Sequence, residues 1–226
     1  MKPTVKLVIF DAEGTFIKIH PPVGEYYAQL FKEVGINLNP VELQSRVKEV
    51  YRLVFNENGA NHRWNEALCF KAWRSFFEIL FKDYRFEPWF DSLFEKAYAH
   101  FGSKDCAIPI PGFPEFAKAL RAKGLKLCVL SNWDGRLHSV LSGLGLDKLF
   151  DKVYTGCEIG YLKPNLASFL HVLSDFKVKP EEAVMIGDSL KDDIEPALKL
   201  GMKAIHYQGE DYQDLFLTFQ EKLLRP

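Results

Sequence analysis

Lys6-Leu-Val-Ile-Phe-Asp-Ala-Glu-Gly-Thr15 decides how the rest of the chain is read. Val5 to Phe10 is a continuous apolar run closed by a polar, glycine-bearing turn. That pattern predicts a strand buried on both faces. Asp11 then falls at the strand's carboxyl end, the edge of an open parallel sheet where ligands bind. Gly14 permits a tight turn, and Thr15 offers a hydroxyl and a backbone N–H to an anion.

From residue 17 to residue 105 the pattern is helical and no strand is expected. Pro21-Pro22 precedes an amphipathic stretch that Gly35 ends, and Asn39-Pro40 opens another reaching Leu53 or Phe55. Residues 56–61 read as a loop; Trp64–Phe81 and Trp89–Phe101 read as further helices. Trp64, Phe70, Trp73, Phe77 and Phe81 form a stripe that is best read as the core of a helical bundle. The polar loop residues Asn58, Asn61, His62 and Arg63 are better candidates than that stripe for touching a ligand, with solvated surface the alternative for each singly.

The second half changes regime. Apolar strands are expected at Leu125–Leu130, Val153–Thr155, Ala183–Ile186 and Met202–His206, with helices between them and one after Tyr212. Lys163-Pro164 is expected to open one of these helices, and Asp192–Leu200 to form another. Alternation at this spacing predicts an α/β fold built on a doubly wound parallel sheet. Residues 1–16 and 106–226 would form that core, and 17–105 an inserted all-helical module.

With 47% hydrophobic residues over 226 positions, a large core can be buried. The net charge of −1 gives no reason to expect nucleic acid as a partner. Cys69, Cys106, Cys128 and Cys157 follow no metal-binding spacing and read as buried free thiols. No apolar run suits a signal peptide or a membrane span, so a cytoplasmic monomer or homodimer acting on a small molecule is expected.

Four separated segments place polar groups just after strands or at helix starts: Asp11 with Glu13; Ser131 with Asn132; Lys163; and Asp188 with Asp192 and Asp193. In a parallel sheet these ends share one rim, with Asp11 and Asp188 neighbours over the switch point. Carboxylates held together require a cation, and hard oxygen ligands favour Mg²⁺, which suits a phosphate substrate. Asp11 can attack phosphorus as a carboxylate nucleophile. Ser131 and Asn132, with Thr15, are candidates for holding phosphoryl oxygens, and Lys163 supplies positive charge. Asp193 or Asp192 can orient metal-bound water.

Asp11-Ala-Glu-Gly-Thr15, Ser131-Asn132, Lys163-Pro164 and Gly187-Asp-Ser-Leu-Lys-Asp-Asp-Ile194 together resemble the four signature motifs of the haloacid dehalogenase-like (HAD) hydrolase superfamily, and Ser131-Asn-Trp-Asp-Gly-Arg-Leu137 with Gly143-Leu-Gly-Leu146 resembles its cap-bearing phosphatase-like branch. The resemblance implies a Rossmann-like core with a helical cap and a Mg²⁺-dependent phosphohydrolase. It implies Asp11 as nucleophile, Ser131 as phosphoryl contact and Lys163 as charge stabiliser. The metal would be held by Asp11, Asp188, the backbone carbonyl of Glu13 and Asp193, with Asp192 the alternative register. The family's phosphatases carry Asp as acid/base two residues after the nucleophile, where this chain has Glu13. Three rival readings follow. One is a metal-independent dehalogenase. Another is a phosphonate hydrolase using a Schiff-base lysine among Lys18, Lys32, Lys48 and Lys71. The third is a binding protein that keeps the fold with little turnover.

Overall fold

The computed structural model describes residues 5–57, 63–209 and 211–220. Strand β1 (Leu7–Phe10) has all four residues fully buried, as a continuous apolar run demands. The chain turns at Gly14 and enters β2 (Ile17–Ile19). Four helices follow: α1 (Val23–Lys32), α2 (Pro40–Tyr51), α3 (Glu66–Leu80) and α4 (Phe90–His100). Their starts follow local chemistry. The Asn39 side chain accepts from Val41 N–H at the head of α2, and the Asn65 side chain accepts from Leu68 N–H at the head of α3. Past Tyr51, α2 continues as a π-helical turn over Arg52–Glu57, where a loop is expected from Asn56 onward.

The insert packs around rings. Tyr27, Phe31, Phe76, Phe77, Phe81, Phe90 and Phe94 are buried together. Gly24 allows α1 to lie against α2, since a Cβ there would sit 2.4 Å from the Pro40 carbonyl oxygen. The aromatic stripe divides by place. Phe77 and Phe81 are core, whereas Phe70 is 45% exposed and rests on Phe94 and Tyr98. Trp64 joins a separate small cluster with Phe55, Cys69, Cys157 and Leu162. Asn58, Asn61 and His62 lie outside the described residues. Arg63 lies over the Tyr161 ring at 6.0 Å.

The chain returns through β3 (Ala107–Pro109), which pairs antiparallel with β2, Ile17 opposite Pro109. This two-stranded ribbon corrects the expectation that 17–105 holds no strand. Three-residue strands are too short for their alternation to separate them from helix or loop. The ribbon makes the two chain crossings between core and insert a hydrogen-bonded pair.

The core then winds through α5 (Phe113–Ala122), β4 (Lys126–Ser131), α6 (Arg136–Gly143), β5 (Lys152–Thr155), α7 (Gly156–Ile159), α8 (Leu166–Phe176), β6 (Ala183–Gly187), α9 (Glu195–Lys199), β7 (Lys203–His206) and α10 (Tyr212–Phe219). The sheet is all parallel, in the order β5-β4-β1-β6-β7. It is therefore the doubly wound α/β sheet expected, with the direction of winding reversing between β1 and β6. Phe10 pairs with Val129 on one side and Ile186 on the other, so Asp11, Ser131 and Asp188 emerge at one rim.

Two helix starts differ from expectation. Lys163-Pro164, joined by a cis peptide, belongs to the loop before α8, whose N-cap is Asn165. Leu190–Ile194 is a π-helical turn that precedes α9. The cysteine reading needs correction as well. Cys69 of α3 and Cys157 of α7 are disulfide-bonded, with Cα atoms 6.2 Å apart; only Cys106 and Cys128 are free buried thiols. The partners are 88 residues apart in sequence, so only packing brings them together.

Candidate active site

Lys163 is buried and its ammonium is shared by two carboxylates. Nζ donates to Asp11 Oδ1 at 2.6 Å and to Asp193 Oδ1 at 2.5 Å. Each partner is held from behind. Asn132 clasps the Lys163 backbone: its Nδ2 donates to the Lys163 carbonyl at 2.9 Å, and its Oδ1 accepts from Lys163 N–H at 2.6 Å. Both faces of that amide are thus engaged in positioning Lys163. Thr15 is fully buried and its hydroxyl donates to Asp11 Oδ2 at 3.4 Å. Asp193 Oδ2 accepts from Ser189 N–H at 3.1 Å. Ser131, the last residue of β4, accepts from Trp133 N–H at 3.4 Å and borders the cavity above the rim.

Among the described residues, the carboxylates of Asp11, Asp188 and Asp193 each offer an oxygen within 4.8 Å of the others. Asp193 belongs to this group and Asp192 does not; the backbone N–H of Asp192 donates to Ser189 Oγ at 3.0 Å. Glycines make the crowding possible. A Cβ on Gly14, where φ is +83°, would meet Asp188 Oδ2 at 2.3 Å, and one on Gly187 would meet Asp193 Oδ2 at 2.3 Å.

Three carboxylates against one ammonium leave negative charge uncompensated, two of the acids buried and Asp188 open to the cavity. Burial pushes the Asp11 carboxyl up to about 7, with the neighbouring acids adding to the rise and Lys163 opposing it. Burial also lifts Asp188 and Asp192. For Lys163, burial acts downward, but Asp11 and Asp193 outweigh it and hold the ammonium above its ordinary range. An all-oxygen donor set with surplus negative charge fits a hard divalent cation such as Mg²⁺.

A cavity of about 700 Å³ opens over this cluster, between the rim and the insert. Glu13 and Asp188 are solvent-accessible, yet they face this walled space. The walls raise the Glu13 carboxyl by burial, against a hydrogen bond from the Trp133 side chain. Trp133 follows directly on Ser131-Asn132, but nothing in the sequence assigns it a role. The insert contributes Tyr51, Trp73 and Tyr98 to the wall. Burial pushes the Tyr51 hydroxyl up, and the Glu13 carboxylate adds to the rise. Arg136 joins the two halves: Nη1 donates to the Tyr98 carbonyl at 3.0 Å while its guanidinium lies 3.8 Å from the Tyr98 ring centre. Lys18 and Lys48 border the cavity; Lys32 and Lys71 do not.

Residues 5–201 match a family model for haloacid dehalogenase-like hydrolases. The chain belongs to that family. Over 215 residues this HAD-like hydrolase is 28% identical to the mouse haloacid dehalogenase-like hydrolase domain-containing protein 3, covering 93% of this chain and 84% of that one. It is 28% identical over 218 residues to a glyceraldehyde 3-phosphate phosphatase of Methanopyrus kandleri, covering 93% and 87%. A solved defluorinating L-2-haloacid dehalogenase superposes with a TM-score of 0.77 at 16% identity, covering 96% of this chain and 95% of that one. At that identity the likeness speaks to the fold of the HAD-like hydrolases alone, which leaves the chemistry to be argued from the site.

Proposed function

We propose that this HAD-like hydrolase is a phosphatase that removes phosphate from a small phosphorylated metabolite, with Mg²⁺ as cofactor and Asp11 as nucleophile. The observation that carries the reading is the group of Asp11, Asp188 and Asp193, with buried Lys163 donating to Asp11 and Asp193. A metal-independent dehalogenase has no need of that acid cluster. The phosphatase named among the relatives supports the same choice.

Asp11, Asp188, Asp193 and the backbone carbonyl of Glu13 would hold the ion. When bound, Mg²⁺ neutralises charge on phosphoryl oxygens and brings the phosphate to the acids. The remaining work falls to the chain. A carboxylate oxygen of Asp11 attacks phosphorus, the ester P–O bond breaks, and an aspartyl phosphate forms. Ser131 holds a phosphoryl oxygen, and the Lys163 ammonium offsets the charge that develops beside Asp11. Glu13, whose raised proton affinity suits it to carry a proton into the cavity, gives it to the leaving alcohol. It then takes a proton from the water that attacks phosphorus and frees Asp11. Residues 17–105 act as a cap, closing over the cavity to exclude water and to choose the organic part of the substrate.

A panel of phosphorylated metabolites plus an aryl phosphate, assayed with and without Mg²⁺, tests the reading. Turnover should require the ion, and Asp11→Asn should lower it by about 10⁴-fold or more while the fold survives. Halide release from 2-haloacids without metal, or no hydrolysis of any phosphate, would sink it.

A further inference from the structure

We infer that the Cys69–Cys157 pair is a reversible redox latch that holds the helical insert against the segment carrying Lys163. The claim goes beyond the phosphatase reading and rests on it only for one arm of the test. Cys69 lies one helical turn before Trp73 on α3, and Trp73 forms part of the cavity wall. Cys157 lies in α7, and the chain from there runs directly to Lys163. The same seam carries a backbone hydrogen bond from Trp64 N–H to the Gly160 carbonyl at 3.0 Å. The bond therefore ties a wall of the cavity to the loop that presents the Lys163 ammonium.

The insert is otherwise joined covalently to the core only by the two crossings at the β2–β3 ribbon. A third link, spanning 88 residues, prevents the insert from swinging as a body about that ribbon. Without it the seam keeps only noncovalent contacts, such as Glu66 accepting from Gly135 N–H at 3.1 Å and Arg136 donating to the Tyr98 carbonyl at 3.0 Å. Such contacts break and reform on the timescale of cap opening. Cys106 and Cys128 stand apart from this chemistry, because burial pushes both thiols up and keeps them protonated.

Opening the latch takes two electrons, which a dithiol supplies. One of its thiolates attacks a sulfur of the pair, the Cys69–Cys157 bond breaks, and a mixed disulfide forms. The cysteine not attacked leaves as a thiolate in that step; the second thiol of the reagent then closes the reagent's ring and expels the attacked cysteine as a second thiolate. The protein gains two thiols and the reagent leaves as a cyclic disulfide. Phe55, Trp64 and Leu162 pack around the pair, so a compact dithiol reaches it only when the seam opens.

The experiment compares the full chain as purified with the chain treated with dithiothreitol, and with Cys69→Ser and Cys157→Ser. Denatured without reductant, the purified chain should alkylate at two of its four cysteines; after reductant, at all four. In hydrogen exchange, reduction should speed α3 and residues 156–163 by about tenfold and leave β1 and β4 unchanged. Each variant should behave as the reduced chain does and ignore dithiothreitol. Hydrolysis of an aryl phosphate with Mg²⁺ should rise on reduction in the wild type only. Alkylation at four cysteines without reductant overturns the latch, as does exchange that reduction leaves unaltered. A reduced chain that loses protection throughout the sheet also overturns it, because the bond would then be a staple for the whole fold. If exchange shifts as expected and no phosphate is hydrolysed, the latch stands and the phosphatase reading falls.

Discussion

The insert and the core are stabilised in different ways. Every buried polar or charged side chain among the described residues belongs to the core: Asp11, Thr15, Ser131, Asp134, Thr155, Lys163, Ser168 and Asp193. Apart from the Tyr27 hydroxyl and the disulfide-bonded Cys69, the buried side chains of α1 to α4 are aromatic or aliphatic groups that make no directional demand. Hydrophobic burial tolerates repacking as long as volume is kept, whereas a buried ion cluster requires each partner in place. The difference teaches where change is affordable. The insert can vary its wall over the cavity while the rim keeps its chemistry.

Removing Lys163 is the hardest blow to the core side of this contrast. Lys163→Met leaves Asp11 and Asp193 facing each other without an opposing charge, and breaking a buried pair costs about 3–5 kcal/mol. Denaturant melts in a chelator should show that loss, and Mg²⁺ should restore part of it. An unchanged melt would mean that the ion group does not hold the rim together. On the insert side, Phe77→Ala opens a cavity among Tyr27, Phe31, Phe81 and Phe94 and should cost about 3 kcal/mol. Hydrogen exchange should then quicken in α3 and α4 and stay slow in β1 and β6. Equal loss in both places would show that the two regions unfold as one unit, and the contrast would fail.

Smaller effects sharpen the picture at the boundary. Glu13→Asp shortens the side chain by one methylene and draws the carboxyl back within the cavity that Trp133 also lines. Turnover should fall about tenfold, since a displacement of about 1 Å is felt strongly in proton transfer. Trp133→Phe added to that variant should cost little more. A rise in turnover on Glu13→Asp would instead mean that the longer side chain is a handicap.

The mildest effect is a pH dependence of stability in the metal-free protein. Asp11 has its carboxyl raised from 3.8 to about 7. Across that window the folded chain holds more protons than the unfolded chain, so stability falls as pH rises. The raised carboxyls of Asp188 and Asp192 act in the same direction. Melting temperatures measured in a chelator should therefore decline from pH about 5 to about 8, and Mg²⁺ should flatten the decline. A slope that ignores Mg²⁺ would separate the raised carboxyls from the proposed ion site.

The sheet and its rim were legible from local pattern alone. Leu7–Phe10, the residues leading to Ser131, and Ala183–Gly187 are apolar runs that read as buried strands, and each leads into a polar residue at the rim that lines one cavity. Strand identity and strand ends are local properties, so local pattern is enough to read them. Only the tertiary structure decided the rest. It put the Asn132 side chain on the Lys163 backbone and the Thr15 hydroxyl on Asp11. It placed the Asp193 side chain, within a π-helical turn, on Lys163 and beside Asp11 and Asp188. It paired β2 with β3 and Cys69 with Cys157. Each of these depends on a contact between residues distant along the chain or on the phase of one irregular turn, and no local periodicity encodes either.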